Sequence, residues 1–132
     1  MLDTNDIIAF SRELTWDDIP LKVRDQTKLC LMDLIGVAAG GVRTKLSNIA
    51  CGYAALDMSG TIPMIFDGRE ASVAGVAMAG GMTIDALDAH DGFNPAKGHA
   101  GCGLFPALYG VAQDSKSISG QQFLLALTIG YE

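Results

Sequence analysis

Apolar positions in the first forty residues recur at helical spacing. Thr4 reads as an N-cap, after which Ile7, Ile8, Phe10 and Leu14 fall on one helical face. Trp16 and Asp17-Asp18-Ile19-Pro20 break that pattern, and Pro20 suits the first position of a new helix, where its missing N–H costs nothing. From Leu21 to Ala39, Val23, Thr27, Cys30, Leu31, Leu34, Ile35 and Ala38 keep a 3.6-residue period, and Gly40-Gly41 supplies a stop. A third helix is predicted over about 45–56, with Leu46, Ile49, Ala50 and Tyr53 facing inward.

The pattern then changes. Residues 61–66, Thr-Ile-Pro-Met-Ile-Phe, are β-branched and aromatic and are closed by Asp67-Gly68, which predicts an extended segment and a turn. Pro63 restricts that segment to an edge or an isolated arm. Helix resumes from about Glu70, and Gly75 and Ala79, four apart, would let a neighbouring helix approach closely. A Gly- and Asp-rich loop covers about 88–101. Two more helices follow, near 104–113 and from Ser119 onward, the latter with Ser119 and Gln122 at capping-box spacing. The fold predicted is mostly α, a helical-bundle portion with one short extended segment and no internal repeat.

Composition narrows the function classes. Half the chain is apolar (49%) and 18% is charged, so it carries the material of a packed core rather than a disordered tail. A net charge of −6 with no basic stripe argues against nucleic-acid binding, which draws its affinity from clustered Lys and Arg. The longest apolar stretch, 71–87, is broken by Ser72, Thr83, Asp85 and several glycines, so no membrane span is predicted. Cys30, Cys51 and Cys102 are odd in number and form no C-x-x-C pair. With an acidic rather than basic N-terminus, they point to reduced thiols and a cytoplasmic location. The apolar fraction and the Gly75/Ala79 face predict self-association.

One polar constellation stands out, between Asp85 and Gly103. It holds both histidines of the protein, His90 and His99, together with Asp85, Asp88, Asp91, Lys97 and several glycines. Asp85 and Asp88 are neighbours on one helical face if the helix extends to them. His99 stands at the start of the next helix, where backbone N–H groups favour an anion such as a substrate carboxylate and an imidazole can exchange a proton. Asp88 or Asp91 is placed to orient that imidazole or to accept a proton itself. The blander readings are that Asp88 ends a helix, that His90 is a solvated or hydrogen-bonded loop residue, and that Cys102 is a packed thiol. Asp85, Asp88, His90 and His99 lack a recognisable ligand spacing, so no metal is predicted.

These residues resemble the N-terminal part of the MmgE/PrpD family. The similarity runs through Trp16-Asp17-Asp18-Ile19-Pro20 and Val23, the helix Leu31-Met32-Asp33-Leu34-Ile35-Gly36, and 80–88 with Asp91. It continues through His99-Ala100-Gly101, Phe105-Pro106-Ala107-Leu108 and the final Gly130-Tyr131-Glu132. It thus spans nearly the whole chain. The family includes 2-methylcitrate dehydratase, cis-aconitate decarboxylase and iminodisuccinate epimerase. Asp88 matches the aspartate of its "DxDDT" segment and His99 the histidine of its "HPSG" segment. Gly92 stands at the threonine position, the segment before His99 is one residue longer, and "HPSG" becomes His99-Ala100-Gly101-Cys102.

The resemblance implies a metal- and cofactor-independent, dimeric lyase or isomerase acting on small polycarboxylates. Asp88 and His99 would be catalytic, with Asp91, Gly92 and Lys97 at the substrate. Dehydration of a 2-methylcitrate-like acid is the first expectation; decarboxylation or epimerisation follows. The alternative from another class is a non-catalytic helical interaction module. The net charge of −6 repels a polyanion at long range, so Lys97 and basic groups outside these residues would have to offset it. The closing apolar run, 123–132, carries no stop signal. The chain is therefore expected to be the first portion of the family's helical domain, without its remainder or lid domain, and inactive alone.

Overall fold

The computed structural model describes residues 3–132. Among these the protein is mostly helical, with α1 (Thr4–Glu13), α2 (Leu21–Gly41), α3 (Lys45–Asp57), α4 (Val73–Asp85), α5 (Ala100–Ser115) and α6 (Gly120–Tyr131). A two-stranded antiparallel sheet pairs β1 (Ile62–Pro63) with β2 (Glu70–Ala71), with Ile62 opposite Ala71. The extended segment is thus shorter than the composition of 61–66 predicts, and Glu70 belongs to its partner strand instead of starting a helix. Pro63 sits in a sheet with no third strand, where its missing N–H can face outward. No described helix is long and apolar enough to cross a membrane.

Helix α4 is the hub. Its buried residues are Gly75, Val76, Ala79, Gly80, Thr83 and Ile84, and it packs chiefly on α5, then on α3 and α2. On one side Val76 and Ala79 meet Cys51, Ala54, Ile62, Met64 and Ala71. On the other, Ile84 joins Leu34, Ala38, Ile65 and Phe105. Small residues make this possible: a Cβ on Gly80 would lie 2.5 Å from Pro106 Cβ, so only glycine lets α4 reach α5 at that point. Pro106 is buried in the middle of α5, where it forgoes one helical hydrogen bond to Cys102 and fills the gap opposite Gly80.

Several sequence expectations are corrected. Asp3, not Thr4, is the N-cap of α1. Pro20 is likewise an N-cap, with α2 starting at Leu21. Gly40-Gly41 does not stop α2, which runs through Gly41 to a cap at Val42. A Cβ on Gly41 would overlap the Thr83 carbonyl, so this glycine serves a helix crossing rather than a helix end. In α3 the inward face is Ser47, Ala50, Cys51 and Ala54, while Leu46, Ile49 and Tyr53 are exposed. The thin side of α3 is the one that fits against glycine- and alanine-rich α4. Gly75 and Ala79 are buried inside the chain, so they offer no face for self-association.

Two buried hydroxyl pairs tie the helices together. Ser47 Oγ and Thr83 Oγ1 share a hydrogen bond of 2.6 Å between α3 and α4, and Thr83 also donates to the Ala79 carbonyl. Thr27 and Thr128 share one of 2.9 Å between α2 and α6. Helix α6 begins with the expected capping box, Ser119 bonded to Gln122 both ways. Helix α1 buries none of its residues, and Ile7, Ile8 and Phe10 remain exposed. Leu29 and Met32 of α2 are exposed as well.

Candidate active site

The site grows from the end of α4. That helix stops at Asp85, and a turn carries the chain through Asp88, whose φ of 46° is left-handed. Aspartate tolerates that conformation better than most residues. Asp85 and Asp88 therefore do not share a helical face. The loop is then drawn together by a bridge between Phe93 and Gly98 around a single 3-10 turn, Asn94–Ala96, and Lys97 is also left-handed, with φ 55°. Helix α5 starts at Ala100, earlier than its apolar pattern predicts, with His99 as its N-cap.

This path brings the two histidines side by side. Their ring centroids are 4.4 Å apart and their planes are inclined by 50°. Each faces a carboxylate of the preceding turn: His99 Nε2 lies 3.8 Å from Asp88 Oδ1, and His90 Nε2 lies 3.7 Å from Asp85 Oδ1. The two pairs differ in solvent. The Asp88 and His99 side chains are 85% and 36% exposed, whereas the His90 side chain is 0% exposed and both of its ring nitrogens lack a hydrogen-bond partner. His90, expected as a solvated or hydrogen-bonded loop residue, is thus buried and without a hydrogen-bond partner. Nothing in the local sequence marks it, because burial here comes from α4, α5 and the loop closing together.

Asp91 ties the loop to the start of α5. Its Oδ2 accepts the Gly101 N–H at 3.1 Å, so the anion at the start of α5 is the chain's own carboxylate. Its Oδ1 and the Tyr131 hydroxyl are both buried without a hydrogen-bond partner, beside Gly101. Burial first, then the Asp91 charge, pushes the Tyr131 phenol well above its ordinary range. Tyr131 was not singled out as a site residue; it arrives from the far end of the chain on α6.

Gly92, Phe93, Asn94, Lys97, Gly98 and His99 line an open groove of about 290 Å³. Asp88 and Asp91 are not part of its lining. A Cβ on Gly92 would stand 3.3 Å from His99 Cε1, so glycine gives the imidazole room. Lys97 Nζ lies at the rim, 3.5 Å from Asn94 Oδ1. Cys102, one turn into α5, donates from Sγ to the His99 carbonyl at 3.2 Å. Burial, then the charges of Asp85 and Asp91, push its thiol above the usual range, as fits a packed cysteine. The four residues weighed as metal ligands separate into two histidine–carboxylate pairs. Asp85, His90 and Cys102 converge instead, with ligand-type atoms all within 4.8 Å of one another.

Residues 5–132 match the MmgE/PrpD N-terminal domain. The chain belongs to the MmgE/PrpD family. Among curated proteins it is 28% identical to a cis-aconitate decarboxylase of Aspergillus terreus, over 98% of this chain and 27% of that protein. The same figures hold for cis-aconitate decarboxylase of Aspergillus terreus strain NIH 2624 / FGSC A1156. The chain thus spans about a quarter of the length of these curated relatives. No solved structure matches it.

Proposed function

We propose that this chain is the N-terminal helical portion of a cofactor-independent lyase acting on a small polycarboxylate, with His99 as the proton-transferring residue. The observation that carries this is His99 at the N-terminus of α5, lining the loop groove and 3.8 Å from the Asp88 carboxylate. In that position the imidazole can reach a substrate from the helix end, with the Asp88 carboxylate on its Nε2 side. Lys97 offers a cation to a carboxylate at the rim. Gly92 leaves space beside the ring. Asp91 fixes the helix start from below, a positioning role in place of substrate contact.

The likeness to cis-aconitate decarboxylases favours decarboxylation over the dehydration expected first. In that reaction the bond to the departing carboxylate breaks, carbon dioxide leaves, and the electron pair remains on the adjacent carbon. Protonated His99 then delivers a proton to that carbon. A dehydratase with the same site would remove a proton next to a carboxylate and expel hydroxide. Self-association belongs to this reading too, through the exposed apolar residues of α1 and α2.

Thermal unfolding in the presence of cis-aconitate, 2-methylcitrate, citrate and succinate tests substrate class. A ligand at 100 times its Kd stabilises by about 2.7 kcal/mol, so the fitting acid raises Tm. A flat response to all four acids favours the non-catalytic interaction module.

A further inference from the structure

We propose a divalent-cation site, of the kind zinc prefers, formed by Asp85, His90 and Cys102 at the junction of α4, the loop and α5. Three observations meet there. The ligand-type atoms of the three residues lie within 4.8 Å of one another. The His90 side chain is 0% exposed, and neither ring nitrogen has a partner, a costly state for a buried polar group. The third observation is separation: His90 Nε2 and Asp85 Oδ1 are 3.7 Å apart. Two ligands at about 2.1 Å from one tetrahedral ion stand about 3.4 Å apart, so this edge is nearly the right length.

The donor set selects the ion. One imidazole, one thiolate and one carboxylate suit zinc and its neighbours rather than magnesium or calcium, which take oxygen ligands. Asp85 is 56% exposed and can swing inward to close the remaining distance. On binding, Cys102 releases its proton to solvent and its hydrogen bond to the His99 carbonyl breaks, leaving sulfur to the ion. Water completes the fourth position. The bound ion satisfies a His90 nitrogen and pins the end of α4 to the first turn of α5. His99 and Asp88 remain outside the ligand set, although the His90 ring packs against that of His99.

Titration of the chain with Co²⁺ alone, and then with Zn²⁺ alone by calorimetry, tests this. The expected result is one ion per chain, a thiolate-to-cobalt charge-transfer band in the near ultraviolet, and a rise in Tm on Zn²⁺ addition. Cys102→Ser abolishes the band, and Cys102→Ser and Asp85→Asn each weaken Zn²⁺ binding by about tenfold or more. Cys30→Ser and Asp88→Asn leave both unchanged. Circular dichroism verifies that each variant is folded. The readout on the unaltered chain decides by itself: saturation without a thiolate band, or less than one ion bound per chain, overturns the site. A band that survives Cys102→Ser but disappears with Cys30→Ser overturns it as well. None of these outcomes depends on catalytic activity, so they leave the polycarboxylate reading to its own test.

Discussion

The carboxylate of Asp91 accepts the backbone N–H of Gly101, ten residues further on, at 3.1 Å. It thereby supplies the N-terminal charge for α5 that the N-cap His99 does not provide from its own side chain. Asp91→Ala is expected to cost about 1–2 kcal/mol, seen as a lower urea midpoint at unchanged m-value. An unaltered midpoint would show that α5 is held by packing alone.

Gly101 marks where three elements meet. A Cβ there would overlap the Tyr131 hydroxyl and stand 2.5 Å from Asp91 Oδ1 and 2.7 Å from Leu34 Cδ2. Gly101→Ala is expected to destabilise by about 1–3 kcal/mol through overpacking. Adding Tyr131→Phe removes one obstructing atom, so the double variant recovers part of the loss. Strict additivity of the two changes in a double-mutant cycle would argue that the contact is absent.

On the proposed lyase reading, His99→Ala is expected to lower kcat by about 10²–10⁴-fold, the usual worth of a general acid–base residue. Asp88→Asn keeps the shape of the side chain and removes its charge, so it should lower kcat as well. Steady-state kinetics read both. Wild-type rates in His99→Ala would remove the imidazole from the mechanism.

Asp67 and Arg69 give a pH-dependent contact in the turn between β1 and β2. Arg69 donates to Asp67 Oδ2 at 2.8 Å through Nη2 and to Oδ1 through Nε. That guanidinium holds the Asp67 carboxyl below its usual range. A carboxylate with a depressed folded pKa stabilises the fold above its unfolded pKa, near 3.8, and loses that contribution as pH falls below it toward the folded value. Asp67→Asn should therefore cost about 1 kcal/mol at neutral pH, since Arg69 is partly exposed. The difference from wild type should shrink in unfolding titrations below pH 4. A constant difference down to pH 2 would exclude the ionic contribution.

Much of the helical layout was legible from local pattern. The 3.6-residue period in α2 and the box at Ser119 are written in neighbours three and four apart, and a helix reads those spacings directly. The loop from Asp88 to His99 was equally visible, because glycines, aspartates and both histidines cluster there. Which side of a helix goes inward was less so. In α3 the apolar pattern pointed to Leu46, Ile49 and Tyr53, yet Ser47, Cys51 and Ala54 are buried. Hydrophobicity favours the large residues, but the space beside α4 admits only small ones.

The sequence by itself determined the helices, the loop and the residue types available to the site, because each depends on interactions within a few positions. Only the tertiary structure decided what those residues do. It buried His90 and left His99 open, though both are histidines in one loop. It turned Asp91 toward α5 and brought Tyr131 in from α6. It also made Gly41 a point of helix contact rather than a helix end, and Gly80 another such contact. Burial and close approach arise from elements distant in the chain, and a local pattern carries no record of its remote neighbours.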